Sequence, residues 1–234
     1  MKKIVVFTGA GVSADSGIST FRDSDGLWEK YRIEDVCTPQ ALLKNREKVI
    51  GFYNIRRKEM LEKEPNAAHL ALAMLEKSGK FDVQIITQNI DNLHERAGSN
   101  NVLHLHGELI KLRSSIDELA TVSLNGWQQN VQDRHADGSL LRPFVVFFGE
   151  NVPMLERAIA ITREADVFVV IGSSLQVYPA ASLLHFVSEK VPIFVVDPQK
   201  LDLKGILNPI KRIPLRAAEG VPILVDYFLS ESYS

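Results

Sequence analysis

A chain of 234 residues with 45% hydrophobic and 24% charged residues can bury one sizeable core and is neither disordered nor fibrous in composition. Its formal charge of -2 gives no basic field to hold nucleic acid directly or an anionic membrane, so a polymer partner must be read locally. The apolar runs are far too short to span a bilayer, and Met1-Lys2-Lys3 leads into a strand-like stretch without a signal-peptide pattern, so a cytoplasmic location is expected. The single cysteine, Cys37, excludes an intramolecular disulfide and a cysteine-based zinc cluster, and its simplest reading is a buried, inert thiol.

In chain order, runs rich in Val, Ile and Phe predict strands at Ile4–Thr8, Val83–Thr87, Val102–Leu105, Phe144–Phe148, Val167–Ile171 and Ile193–Val196. Several are apolar on both faces, as buried parallel strands are. Helical patterns fall at Pro65–Leu75, Pro153–Arg163, Pro179–Ser188 and from about Glu219 onward. This alternation predicts an α/β fold: one domain on a Rossmann-like doubly wound parallel sheet. Two stretches break the rhythm. Residues 28–63 are helical and strongly charged, with Thr38-Pro39 as cap and first-turn pair, and read as a helical insert. Residues 113–141 are polar, carry the turn signals Asn125-Gly126 and Asp137-Gly138, and show no convincing strand of their own. The core is then 1–27, 64–112 and 142–234.

The first predicted strand ends in Gly9-Ala10-Gly11-Val12-Ser13-Ala14. Two glycines permit a tight turn and close approach to a pyrophosphate, and a small third residue lets a helix pack, although a plain turn after a strand explains the same residues. A hydride-transferring Rossmann enzyme continues into a second strand ending in an acidic residue about twenty positions on. This chain instead enters a turn-rich segment, Ser16 to Trp28, holding Thr20, Phe21 and Arg22, which could fold over a bound cofactor.

Gln88, Asn89 and Asp91 follow the second strand, where open α/β sheets bind ligands. Amides and a carboxylate there suit a carboxamide and ribose hydroxyls, while a helix cap made by Asn89 or Asp91 is the plainer alternative. His106 is expected to close the next strand, with Gly107 leaving its imidazole room, and suits general-base work. His94 and His104 read as structural. Gly172-Ser173-Ser174, between a strand and a helix start, offers amides and hydroxyls to an anion or ribose, and Asp197 at a strand end can accept bonds from ribose hydroxyls.

Six segments resemble, in order, the signature motifs of the sirtuin (Sir2) family: Gly9–Arg22, Pro65–His69, Thr87–His94 with Ala97-Gly98, His106-Gly107, Arg142–Glu150 and Gly172–Pro179. The resemblance implies NAD as cofactor and acyl-lysine proteins or peptides as substrates, with nicotinamide and O-acyl-ADP-ribose released. It implies that His106 is the catalytic histidine, taking a proton from the ribose, with Gln88 and Asn89 beside it. Cofactor contacts are implied for Gly9, Ala10, Gly11, Ser13 and Ala14, for Thr20, Phe21 and Arg22, and for Gln88, Asn89 and Asp91. The same holds for Gly172, Ser173 and Ser174, for Asp197, and for Ala217 and Ala218 beside the adenine. Val145, Val146, Phe147, Phe148 and Gly149 are similar to the segment that pairs with substrate and lines an acyl-lysine tunnel, although an ordinary buried strand would look alike. His69 resembles a structural position near a helix start.

Two departures and one added match qualify the resemblance. Asp197 stands where the family usually has Asn, and the two cysteine pairs that hold a structural zinc in most members are missing from 113–141, so no metal is expected. Apolar residues such as Leu119, Leu124 and Trp127 are expected to share the anchoring, and His135, Asp133 and Asp137 read as turn residues. Tyr53 and Arg56, three apart on a helical pattern, match the pair that marks sirtuins acting on succinyl, malonyl or glutaryl groups. A solvated basic run of Arg56, Arg57 and Lys58 is the plainer reading. Competing functions are deacetylation without acidic-acyl preference, ADP-ribosyl transfer and NAD hydrolysis, which keep the same residues, and NAD sensing, which would not need a base at His106.

Overall fold

The computed structural model describes residues 1–19 and 31–230. Its strands are β1 (Lys2–Thr8), β2 (Phe81–Thr87), β3 (Val102–His104), β4 (Gly107–Ser114), β5 (Thr121–Ser123), β6 (Leu141–Val145), β7 (Val167–Ile171), β8 (Ile193–Val196) and β9 (Ile210–Ile213). Its helices are α1 (Gly11–Ala14), α2 (Ile33–Val36), α3 (Pro39–Lys44), α4 (Arg46–Leu61), α5 (Ala67–Lys77), α6 (Leu93–Ala97), α7 (Leu155–Arg163) and α8 (Ala217–Leu229), with a 3-10 segment at Ala180–Phe186.

Six strands form one sheet in the order β3-β2-β1-β7-β8-β9, and every neighbouring pair is parallel. The chain starts in the middle and winds outward both ways, so the β1–β7 boundary is a topological switch point whose carboxyl edge leaves a crevice. Alternation explains how both faces are buried. Ile4 and Val6 of β1 pack with Val83, Val169 and Val196 under α5 and α8, while Val5 and Phe7 pack with Ile86, Phe168 and Val195 under α7 and the 3-10 segment. Each such side chain contributes roughly 1.5–3 kcal/mol relative to exposure.

The helical insert has its own core: Val36, Cys37, Val49, Phe52, Tyr53 and Met60 pack against Leu109, Val145 and Phe147. Thr38 caps α3 as expected, accepting from Ala41 N at 3.1 Å. β4, β5 and β6 make a small antiparallel sheet in the order β5-β4-β6.

Several expectations need correcting. The stretch 113–141 does hold a strand, β5, too short and polar to show an apolar pattern. The strand expected at Phe144–Phe148 runs instead at Leu141–Val145, because Arg142 and Pro143 pair with β4. β3 stops at His104, so His106 lies beyond it on the link to β4. The segment after Pro179 is 3-10, and α5 begins at Ala67 with Asn66 as its cap, closed by His69. Leu119 and Trp127 are exposed and Leu124 is only half-buried, so the anchoring of the polar insert is not apolar. No helix among the described residues is long and apolar enough to cross a membrane.

Two histidines are sealed in this core. His69 and His94 are 0% and 1% exposed and meet edge to face with ring centroids 4.8 Å apart. Burial pushes the His69 pKa down to about 4, and burial with the neighbouring His69 and His104 pushes His94 well down. Below pH 6.5 the unfolded chain therefore binds more protons than the folded one, and stability falls as the pH falls; His69 alone withdraws about 3 kcal/mol by pH 4. His104, raised by Glu95 against its burial, works in the opposite sense and offsets part of this. Urea midpoints should drop between pH 7.5 and 5; a flat or rising profile would contradict the account.

Candidate active site

A cavity of about 700 Å³ opens at the carboxyl edge of the large sheet. Its middle is built from two turns that interlock across the switch point. A Cβ on Gly11 would lie 2.7 Å from Gly172 Cα, and one on Gly172, where φ is +57°, would lie 2.4 Å from Val12 N. Backbone bonds complete the lock, Gly9 N to Ile171 O at 3.0 Å and Gly11 N to Gly172 O at 2.9 Å. The glycines thus serve turn-on-turn packing, which is what brings Gly9, Ala10, Gly11, Ser13 and Ala14 beside Gly172, Ser173 and Ser174 around one cavity.

The loop after β2 crosses this centre. Gln88 Nε2 donates to Ser173 Oγ at 2.8 Å. Asn89 Nδ2 donates to Gly9 O at 3.2 Å and Ser13 Oγ at 3.1 Å. Ser13 Oγ donates in turn to Asp91 Oδ2 at 3.0 Å, while Asp91 Oδ1 accepts from Leu93 N at 3.1 Å at the start of α6. Asp91 therefore both lines the cavity and steadies a helix entry. Burial raises its carboxyl pKa against the Leu93 and Ser13 bonds, which lower it.

Two imidazoles hang from this loop. His104 Nδ1 lies 2.9 Å from Asn89 O and His106 Nδ1 lies 3.0 Å from Gln88 O. A carbonyl can only accept, so each Nδ1 carries a proton and donates. His104 Nε2 is engaged by Glu95 at 2.8 Å, whereas His106 lines the cavity. Burial lowers the His106 pKa despite the Gln88 bond, which holds the ring neutral near pH 7 with Nε2 as its proton acceptor. Gly107 is there for a different reason than room for the imidazole: its φ is +83°, and a Cβ would meet Phe144 O at 2.1 Å.

The other wall holds Val145, Val146, Phe147, Phe148 and Gly149 with Tyr53 and Arg56 of α4. Tyr53 is 2% exposed, stacks on Phe147 with centroids 5.7 Å apart and donates its hydroxyl to Cys37 Sγ at 3.5 Å. Burial and then Cys37 raise its pKa, so the phenol stays a neutral donor. Arg56 is half-buried in the cavity wall, 5.9 Å from the Phe52 ring centre, and Arg57 is wholly buried, so these two do not form a solvated basic run.

A hairpin clamp that no motif points to closes this wall. Arg142 Nη1 bonds Glu150 Oε1 at 2.6 Å, Glu150 Oε2 accepts from Phe147 N at 2.8 Å, and the Arg142 guanidinium stacks 4.0 Å over Phe147. Burial would raise the Glu150 carboxyl, but Arg142, the Phe147 N–H and Arg113 hold it below its usual range. The signal was available in opposite charges at the two ends of Arg142–Glu150.

At the far end the cavity is lined by Asp197, Arg216 and Ala217. Arg216 Nη1 bonds Asp15 Oδ1 at 2.8 Å, and Ala218 N donates to Asp15 Oδ2 at 3.3 Å, so Ala218 braces α8 rather than lining the cavity. Thr20, Phe21 and Arg22 lie outside the described residues. A structural zinc does not fit this chain's donors: the one cysteine lies under Tyr53, and no group of three or more His, Cys, Asp and Glu side chains that could hold a metal occurs among the described residues. His135 instead pairs with Asp137 at 3.0 Å, and Asp133 accepts from Asn130 N at 2.8 Å.

Sheet order, switch-point crevice and glycine turns together define a Rossmann-like dinucleotide-binding architecture. Residues 9–179 match the model of the Sir2 family, and the chain belongs to that family. It is 51% identical over 207 residues to a protein of Bacteroides thetaiotaomicron named NAD-dependent protein deacylase, covering 86% of this chain and 88% of that one. A protein of the same name from Aggregatibacter actinomycetemcomitans is 55% identical over 199 residues, covering 85% and 94%. Among solved structures, a Sir2 homologue in complex with NAD superposes with a TM-score of 0.87 at 40% identity, covering 100% of this chain and 91% of that one.

The clamp generates a test. Glu150→Gln leaves the Arg142 charge buried beside Phe147 without its partner, which should cost about 3 kcal/mol of stability. Urea denaturation of the variant measures it, and a loss below about 1 kcal/mol would show that the pair is ornamental.

Proposed function

We propose that this chain is an NAD-dependent protein-lysine deacylase that favours acyl groups ending in a carboxylate. The observation that carries the deacylase reading is the neutral His106, fixed through Nδ1 to the Gln88 carbonyl in a cavity it shares with Asn89 and the interlocked glycine turns. NAD, when bound, would supply the ribose carbon that the acyl oxygen attacks and the nicotinamide leaving group, and one water consumed in releasing the amide nitrogen balances the products, O-acyl-ADP-ribose and free lysine.

The protein's part is to position and to move one proton. The Gly9–Ala14 and Gly172–Ser174 turns offer backbone amides and hydroxyls to a diphosphate at the switch point. Asn89 spends its amide nitrogen on Gly9 O and Ser13 Oγ, so its Oδ1 is the acceptor left for a ribose hydroxyl. Gln88, tied to Ser173, holds the second turn in register. His106 Nε2 takes the ribose proton, and Asp197 accepts from the adenosine ribose at the far end. Val145 to Gly149 receive the extended peptide and its aliphatic lysine stem.

His106→Ala and Asn89→Ala should each cut turnover at least about a hundredfold while the protein stays folded. Because the base must be neutral and burial lowers its pKa, the acid limb of kcat/KM in the free enzyme should lie below an ordinary histidine's. Product analysis by mass spectrometry across pH tests both points. Near-normal deacylation by folded His106→Ala would sink the assignment.

The acyl preference rests on Tyr53 and Arg56 sharing one cavity wall. A guanidinium holds a terminal carboxylate bidentately, and the Tyr53 hydroxyl, now on a weak sulfur acceptor, can turn to it at little loss. Acetyl-lysine offers no carboxylate for either group to bind, a difference of about 3 kcal/mol, on the order of a hundredfold in kcat/KM. Succinyl-lysine peptide should be preferred by that margin, and Arg56→Met should erase the preference while sparing deacetylation. Equal efficiency of the parent on both peptides would refute it.

A further inference from the structure

We infer that Arg57 is a positioning residue of the reaction, joining the acyl-facing helix, the loop that carries Asn89 and the polar insert at 113–141 into one frame. The inference deepens the deacylase reading and rests on it.

Arg57 follows Arg56 directly, but points away from the cavity and is 0% exposed. Its Nε donates to Leu109 O at 2.6 Å, and Nη1 donates to Asn54 Oδ1 at 2.7 Å and Trp127 O at 2.6 Å. Among the described residues no carboxylate meets this guanidinium, and Nη2 has no partner. Burial pushes its pKa down to about 10, which leaves it charged at neutral pH. A charge buried without a counterion adds little net stability. What its planar fork does supply is fixed direction toward acceptors on different segments, which the compact ammonium of a lysine cannot match.

Those acceptors are well chosen. Leu109 also donates its N–H to Ile90 O at 2.8 Å, and Ile90 lies between Asn89 and Asp91. Trp127 belongs to the insert, and Asn54 holds the same insert by accepting from Gln129 N at 2.9 Å and donating to Gln129 O at 2.9 Å. Gln129 continues to Leu141 O at 2.8 Å, at the start of β6. Arg46 adds Nε to Val131 O at 2.8 Å and a second bond from Nη2 to Leu141 O. Arg46, Asn54 and Arg57 fall on one face of α4, and Tyr53 and Arg56 fall beside it on the cavity side. A tilt of α4 would therefore shift the acyl wall and the insert together. Cysteine pairs would fix such loops through coordinate bonds to a metal; this insert holds no cysteine, and the helix supplies the fixed points.

The experiment uses the full chain as Arg57→Met, which keeps much of the volume, and as Arg57→Lys, which keeps the charge without the fork. Hydrogen exchange over 107–112 and 124–131, affinity for an acyl-lysine peptide by fluorescence anisotropy, affinity for ADP-ribose by calorimetry, and kcat with KM are measured. Both variants should lose protection in those two segments, bind peptide at least fivefold more weakly and raise KM by a similar factor. ADP-ribose affinity should stay within about twofold, and kcat should fall less than KM rises. If Arg57→Met does not fold, Arg57→Lys decides by the same readouts. Parental protection and peptide affinity in a folded variant would overturn the inference, as would an even loss of protection over the whole chain. Should the parent turn over no acyl peptide, the deacylase reading fails on that result, while exchange and binding still judge Arg57.

Discussion

The interlock of two backbone turns at the β1–β7 boundary governs this structure. With a Cβ on Gly172 placed 2.4 Å from Val12 N and one on Gly11 placed 2.7 Å from Gly172 Cα, no side chain can be accommodated without parting the strands. The contact sets how closely two loops approach, and hence where Ser13 and Ser173 stand. Both serines are then taken up by the β2 loop, through Asn89 and Gln88. A tight backbone contact at the switch point therefore dictates the placement of the polar groups around it, and the imidazole of His106 inherits its position from the carbonyl of Gln88.

Much of this was legible in the sequence where a single residue type has a strong physical signature. β1, β7 and β8 announced themselves because strands buried on both faces are apolar over most of their length, and β2 showed through Val83, Ile85 and Ile86 although Gln84 interrupts the run. The site loops followed from their position at strand ends. β4, β5 and β9 were missed: in β4, Glu108, Lys111 and Arg113 interrupt the apolar pattern, and β9 shows only Ile210 and Ile213 around two charged residues. Such strands are held by partners distant in sequence, and composition carries little trace of that. The polar insert misled for a related reason. Its exposed Leu119 and Trp127 looked like anchors, whereas the anchors are backbone carbonyls reached by arginines of a helix 70 and 85 residues earlier in the chain. Carbonyls leave no mark in a sequence.

The histidines show the same limit in miniature. The sequence singles out His106 from His69, His94 and His104 by its place before Gly107, and the physical difference lies in what each second nitrogen meets. His69 accepts from Asn66 N at 3.3 Å and faces Ser13 Oγ at 3.5 Å, His94 faces Thr8 Oγ1 at 3.1 Å, and His104 is taken by Glu95. His106 alone of the four combines a fixed Nδ1 with a place in the cavity wall. Burial tunes them in one direction and a carboxylate tunes His104 in the other, so one residue type serves both as packing and as a candidate base.

The cavity wall at Tyr53 follows from the same economy of partners. Tyr53 is enclosed by Phe52, Phe147 and Cys37, and its hydroxyl ends on a thiol whose own pKa burial raises. Sulfur is a poor acceptor, so the bond satisfies the hydroxyl without committing it. A stronger acceptor in that place would lock the phenol, and an apolar residue would leave a buried donor unsatisfied, at a cost of about 1–3 kcal/mol. The lone cysteine of this chain is thus the acceptor of a buried phenol. It keeps a buried hydrogen-bond donor in place without binding it strongly.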